Sequence, residues 1–195
     1  MALALEARAM KDDLMLGDTP KARKRRRKLA NAQTRGRLWK HSTLADIDGL
    51  IEPEELDELF CFTMVRNPWD RMVSYYHWLK DQKFDHPAVA LAARLPFDTF
   101  VQHPQTTRSL RANPAVSYLT DALGQNRSNA FVRLEHLETD LIPLEAHLGF
   151  KLTLPRANSS ERETDWRQYY SKPAQKAVED ACAEDISRFG YGFDG

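Results

Sequence analysis

The chain has 195 residues, of which 42% are hydrophobic, and 28 basic side chains balance 28 acidic ones. That is enough chain for one well-buried core, and the composition excludes a wholly disordered polypeptide. No run reaches the length of a membrane span, and Glu6 and Arg8 interrupt the apolar start with no small-residue cleavage site after it, which argues against a signal peptide and for a cytoplasmic chain.

Residues 1–11 read as a helix, broken by Gly17-Asp18-Thr19-Pro20. Seven of the eight residues 21–28 are basic, so the rest of the chain is net acidic. Such a run has the charge to attract nucleic acid, an anionic membrane or an acidic glycan, and it reads equally as a solvated helix face or loop. No aromatic side chains interleave with it and no nucleic-acid-binding motif is present, so no nucleic acid partner is expected. Thr43 is placed to cap a short helix over 44–50, and Glu52-Pro53-Glu54-Glu55 starts another turn or helix.

Residues 60–65 are aromatic and aliphatic without helical period, as expected of a strand buried on both faces of a parallel sheet. A helix follows from Pro68 to about Lys80, with Asn67 as its cap. Further on, the pattern predicts a short helix over 97–103, another from Asn113-Pro114 to about Leu123, and a second buried strand over 130–134. Residues 136–148 are helical with a break or new first turn at Pro143 and a stop at Gly149, and 173–189 form the last helix. Cys61, in a strand, and Cys182, in a helix, suit two reduced, packed thiols better than a disulfide or a metal site.

The junction at Arg66 carries the most chemistry. A strand feeding a capped helix N-terminus aims backbone N–H groups and the positive end of the helix dipole at one point, and Arg66 sits there. Ser74 lies two turns on, near the same side of the helix, so its hydroxyl and the Arg66 fork can hold one phosphate. The alternative use of Arg66 is an ion pair with a carboxylate such as Asp70.

The run Arg66-Asn67-Pro68-Trp69-Asp70-Arg71-Met72-Val73-Ser74-Tyr75-Tyr76 resembles the 3′-phosphate-binding segment of the sulfotransferases that use 3′-phosphoadenosine-5′-phosphosulfate (PAPS), in their carbohydrate-type and bacterial branches. The resemblance implies an α/β, sulfotransferase-like P-loop fold, a single domain over 1–195 with a small parallel sheet flanked by many helices. It also implies PAPS as sulfonate donor without a metal, and transfer to an acceptor hydroxyl, with a carbohydrate as the favoured class. Arg66 and Ser74 fall on the family's two 3′-phosphate ligands. His41 in Lys40-His41-Ser42-Thr43 falls where the family often carries a base, with Lys40 beside it as an electrostatic helper.

The segment 131–140 looks like the family's later Arg-x-Glu-x-Leu strand, where Arg133 and Glu135 read equally as an ion pair. Asn158-Ser159-Ser160-Glu161-Arg162 looks like a loop that closes over the nucleotide, with Arg162 on the cofactor side. The family also has an N-terminal first strand and a Lys-containing loop that wraps the 5′-phosphosulfate. Neither is found here, and Gly17 and Gly36 stand in no such motif. The expectation is therefore a chain that starts late relative to the family, with apolar sheet surface left open or covered in a homo-oligomer. The other functional class that follows is a catalytically inactive nucleotide- or glycan-binding remnant of the same fold.

Overall fold

The computed structural model describes residues 1–155 and 165–194. It is an α/β structure with a two-stranded parallel sheet flanked by helices. The chain divides into two compact units, whose described parts are 1–64, 115–132 and 136–155 for the first, and 65–114, 133–135 and 165–194 for the second.

In the first unit, α1 (Ala2–Arg8) is followed by α2 (Pro20–Arg26), which Thr19 caps by accepting from the Ala22 N–H. The basic run is thus helical. Lys21, Arg25 and Arg26 donate to the carbonyls of Glu6, Asp13 and Leu16, while Arg23, Lys24, Arg27 and Lys28 are exposed. The helix α3 (Pro53–Glu58) opens with a capping box between Glu52 and Glu55. Strand β1 (Phe62–Val65) then pairs with β2 (Ala130–Arg133). Asn129 sets the start of this pairing: its side chain accepts from the Cys61 N–H at 2.6 Å, and its own N–H donates to the Cys61 carbonyl at 2.7 Å. Those two bonds take the polar groups of Cys61 before the ladder begins, so the strand starts two residues later than the apolar run. Phe62, Met64 and Val132 pack against Leu141 and Leu144, from the region of α8 (Leu137–Asp140) and α9 (Ile142–Leu148). Pro143 occupies the first turn of α9, and Gly149 ends it at φ 73°, a left-handed conformation that favours glycine.

The second unit is helical: α4 (Pro68–Lys80), α5 (Pro87–Arg94), α6 (Phe97–Gln102), α7 (Pro104–Ala112), α10 (Lys172–Ala181) and α11 (Ala183–Phe189). Trp69, Met72, Val73, Tyr76 and Leu79 form one stripe of α4 at helical spacing. That stripe is buried with Phe97, Phe100 and Val101 of α6 and with Ala174, Val178 and Ala181 of α10.

Several elements depart from the sequence expectation for local reasons. Residues 44–50 form turns rather than a helix, because the carbonyls of Asp46 and Asp48 accept from Gly36 and Arg35 and cannot serve a helical ladder. Asp46 Oδ2 also takes the Thr43 N–H at 2.9 Å, which closes a local turn. After Asn113 only a 3-10 stretch, Ala115–Leu119, forms, since Asp121 Oδ1 captures the N–H groups of Leu123 and Gln125. The expected last helix is two helices, bent at Cys182. Two helices that periodicity did not reveal, α5 and α7, both start at a His-Pro pair: Nδ1 of His86 and of His103 accepts from the N–H two residues on. The strands are only partly buried, as fits a sheet of two strands among the described residues. No described helix is long and apolar enough to cross a membrane.

Candidate anion-binding site

Only Arg66 and Asn67 separate the end of β1 from the start of α4. Asn67 caps the helix, its Oδ1 accepting from the Trp69 N–H at 3.1 Å, and Pro68 fills the first helical position. Its remaining polar groups are used too. The backbone N–H donates to Glu135 Oε1 at 2.6 Å, Nδ2 donates to the Gly192 carbonyl at 3.0 Å, and its carbonyl accepts from the Arg71 N–H at 2.8 Å. Asn67 is buried, and this full set of partners is what makes burial of its amide tolerable.

Glu135 therefore braces the turn, and its second oxygen accepts from the Tyr191 hydroxyl at 3.3 Å. Burial, and after it the Glu135 carboxylate, pushes the Tyr191 phenol well above its ordinary pKa, so it stays a neutral donor. From the far side, the Trp69 indole donates to the Gln175 carbonyl and the Tyr170 hydroxyl donates to the Trp69 carbonyl.

Arg66 makes the ion pair that the sequence offered as its second use. Its Nε–H and Nη2–H both donate to Asp70 Oδ2 at 2.6 Å, and the two side chains are 25% and 16% exposed. Ser74 lies one further turn along the same i, i+4 row, half-buried, and its hydroxyl makes no hydrogen bond among the described residues. Asp70 thus stands between the two candidate phosphate ligands. The N–H groups of Asn67 and Trp69 already have acceptors, so an arriving anion meets side chains here rather than a ring of open amides. Phosphate chemistry still fits the row. One guanidinium edge, Nη1, has no partner among the described residues, and a hydroxyl follows two turns on.

Lys40 and His41 belong to the first unit. Lys40 Nζ sits 3.0 Å from Asp18 Oδ2, so its charge is matched locally, and this contact holds Asp18 below its ordinary pKa. The His41 ring meets Trp39 edge-on, with centroids 4.8 Å apart. Desolvation by the surrounding chain, and then the charge of Lys40, moves the imidazole below its ordinary pKa of 6.5, which favours its neutral form. A separate apolar cavity of about 380 Å³ in this unit is lined by Phe60, Cys61 and His147 among others, and neither Lys40 nor His41 borders it.

Arg162, with Asn158, Ser159 and Ser160, lies outside the described residues. His77 packs edge-on against Tyr169, and His147 stacks on Phe60. Cys61 and Cys182 are free and buried, and burial raises the Cys182 thiol to about 11. Among the described residues no group of three His, Cys, Asp or Glu side chains is arranged to hold a metal. No protein-family model, curated protein or solved structure matches the chain. The sequence did not reveal Glu135 as the brace of Asn67 or Asp18 as the partner of Lys40. Both contacts bridge residues distant along the chain, and only the Glu in the 131–140 run offered a signal for either.

Proposed function

We propose that the chain is a PAPS-dependent O-sulfotransferase of sulfotransferase-like P-loop fold, with a carbohydrate hydroxyl as its favoured acceptor. The observation that carries this reading is the Arg66–Asp70–Ser74 row on a capped helix entered directly from a strand. In this reading Arg66 and Ser74 hold the nucleotide's 3′-phosphate, and PAPS supplies the activated sulfonate. His41, whose lowered pKa favours the neutral imidazole, takes the proton of the attacking hydroxyl. An oxygen–sulfur bond forms to the acceptor as the bond from sulfur to the 5′-phosphate oxygen breaks, and adenosine 3′,5′-bisphosphate leaves. Arg162 joins on the cofactor side.

The pairing of Lys40 with Asp18 favours a second reading, a domain that binds nucleotide or glycan without transfer, because it removes one free cation from the neighbourhood of His41. Radiolabelled PAPS incubated with a panel of glycans and phenols separates the two. Label transferred to an acceptor and lost in His41→Ala supports the enzyme, whereas nucleotide binding without transfer supports the second reading. Absence of both nucleotide binding and transfer rejects the family assignment.

A further inference from the structure

Charge is divided unevenly along the chain. Residues 6–40 hold twelve Lys and Arg against four Asp and Glu, a net charge of +8, and the remaining residues are net acidic. An asymmetry of that size points to a polyanionic partner. The structure gathers many of these cations around α2 and the 3-10 turn that follows it, within the first unit. Ala22, 1% exposed, marks the inner side of the helix, and Lys21, Arg23, Lys24, Arg27 and Lys28 are exposed around the rest of its circumference.

The flanks of this cationic ridge carry exposed apolar side chains. On one flank Lys21 and Arg25, one turn apart, donate to the carbonyls of Glu6 at 2.8 Å and Asp13 at 3.1 Å, which lays the intervening segment along the helix. That segment and its continuation present Met10, 73% exposed, and Leu14, 53% exposed. On the other flank Arg26 lies 3.6 Å and Lys40 3.0 Å from the Asp18 carboxylate, and the charge of Arg23 acts on it too. Lys40 brings its neighbour Trp39, 39% exposed, to this side. The four carboxylates are outnumbered and mostly engaged. Asp18 holds Arg26 and Lys40, Asp13 Oδ2 accepts from the Met10 N–H at 2.7 Å, Glu6 accepts from the Thr19 hydroxyl, and Asp12 follows Lys11.

The combination selects the occupant. A single-stranded nucleic acid uses the cations but needs open ring faces on which its bases stack. Trp39 is already met by the Arg37 guanidinium at 5.7 Å and edge-on by His41. A sulfated glycan likewise uses the charge and gains nothing from Met10 and Leu14. An anionic bilayer uses both features: its headgroups attract Lys and Arg, and aliphatic side chains beside them enter the interface.

We propose that the α2 ridge, with Met10, Leu14 and Trp39 on its flanks, docks the protein peripherally on a bilayer rich in anionic phospholipid. The surface uses side chains of the first unit outside the Arg66 row. Its test needs no nucleotide, so its failure leaves the sulfotransferase reading standing.

The test is co-sedimentation of the full chain with vesicles of phosphatidylcholine alone and with about three parts in ten replaced by phosphatidylserine. Binding is expected to the anionic vesicles only, and it should fall as salt is raised. Lys24→Gln combined with Lys28→Gln removes two exposed charges one turn apart and should weaken partition about tenfold or more. Leu14→Ser keeps every charge and should weaken it about fivefold, the loss of one partly inserted side chain. All three positions are exposed, and circular dichroism of the variants checks the fold. The proposal is overturned if anionic and neutral vesicles bind alike or not at all, or if either the lysine pair or Leu14→Ser binds unchanged. It is also overturned if poly(U) or heparin binds through Lys24 and Lys28 while the anionic vesicles do not.

Discussion

Replacing Arg66 by alanine tests the anion site most directly. The guanidinium places Nε and Nη2 on a single oxygen of Asp70 at 2.6 Å, with Nη1 turned away from that contact. A charge-assisted hydrogen bond lost from a partly buried site costs about 1.5–3 kcal/mol, so Arg66→Ala should weaken adenosine 3′,5′-bisphosphate about 10- to 100-fold. Asp70 acts in the opposite direction. It stands one turn from Arg66 and one from Ser74, so a phosphate held by both lies roughly 6 Å from a carboxylate, a repulsion of about 3 kcal/mol at an effective dielectric of ~20 before screening by solvent. Asp70→Asn keeps an acceptor for Arg66 and removes the charge, and it should tighten binding about tenfold once partial exposure is allowed for. Isothermal titration calorimetry with the bisphosphate, and with adenosine 5′-monophosphate as a control lacking the 3′-phosphate, reads both changes. Equal binding of the two nucleotides, or unchanged affinity in Arg66→Ala, refutes the reasoning.

Three further outcomes are expected. The imidazole of His41, followed by NMR, should titrate below 6.5, with Lys40→Gln moving it up and Asp18→Asn moving it down, since the first removes a repelling charge and the second an attracting one. Because the folded-state pKa is depressed, the neutral form of His41 favours the native state, and its contribution to stability is complete above 6.5 and is lost as pH falls through the folded value. Glu135→Ala removes the acceptor of the Asn67 N–H and should lower stability in urea denaturation by about 1 kcal/mol, a figure reduced for the exposure of the carboxylate, whereas a change within error shows that water replaces it. Asp121 is held below its ordinary 3.8 first by its bond from Arg127, which also contacts Asp57, and then by the Gln125 N–H. The stability it contributes is present above 3.8 and is lost as pH falls below it. Arg127→Met should flatten that stretch of the acid-unfolding curve, and an unaltered curve counts against the assignment.

How much of this was legible in the sequence follows from the range of the interactions. The strand, the Asn-Pro cap and the full extent of α4 are local: a cap oxygen, a proline at the first position and a stripe at helical spacing act within a few residues of one another. Gly149 and the new helical start at Pro143 were readable for the same reason. Residues 44–50 misled because their carbonyls are taken by Arg35 and Gly36, partners that no periodicity announces. The helices α5 and α7 were hidden by an uncommon cap, a histidine ring nitrogen in place of a hydroxyl or carboxylate. In the site, the residue types at Arg66 and Ser74 were readable, and so was Asp70 as an alternative partner. That Asp70 would lie in one row with both follows from helical spacing, but its capture of two guanidinium N–H groups required coordinates.

The turn itself explains why the two kinds of substitution there will give different answers. Asn67 engages its N–H, its carbonyl and both ends of its side chain with Glu135, Arg71, Trp69 and Gly192, and it is 8% exposed. Any replacement orphans at least one buried partner, so loss of binding at position 67 reports on folding as much as on the ligand. Arg66 instead sends its side chain to Asp70, across the first turn of the same helix, and none of the bonds that fix Asn67 runs through it. The backbone that aims Arg66 is therefore secured by groups other than Arg66. Removing the guanidinium leaves the strand, cap and helix in place, which is the condition for reading the resulting change in nucleotide affinity as chemistry at the site.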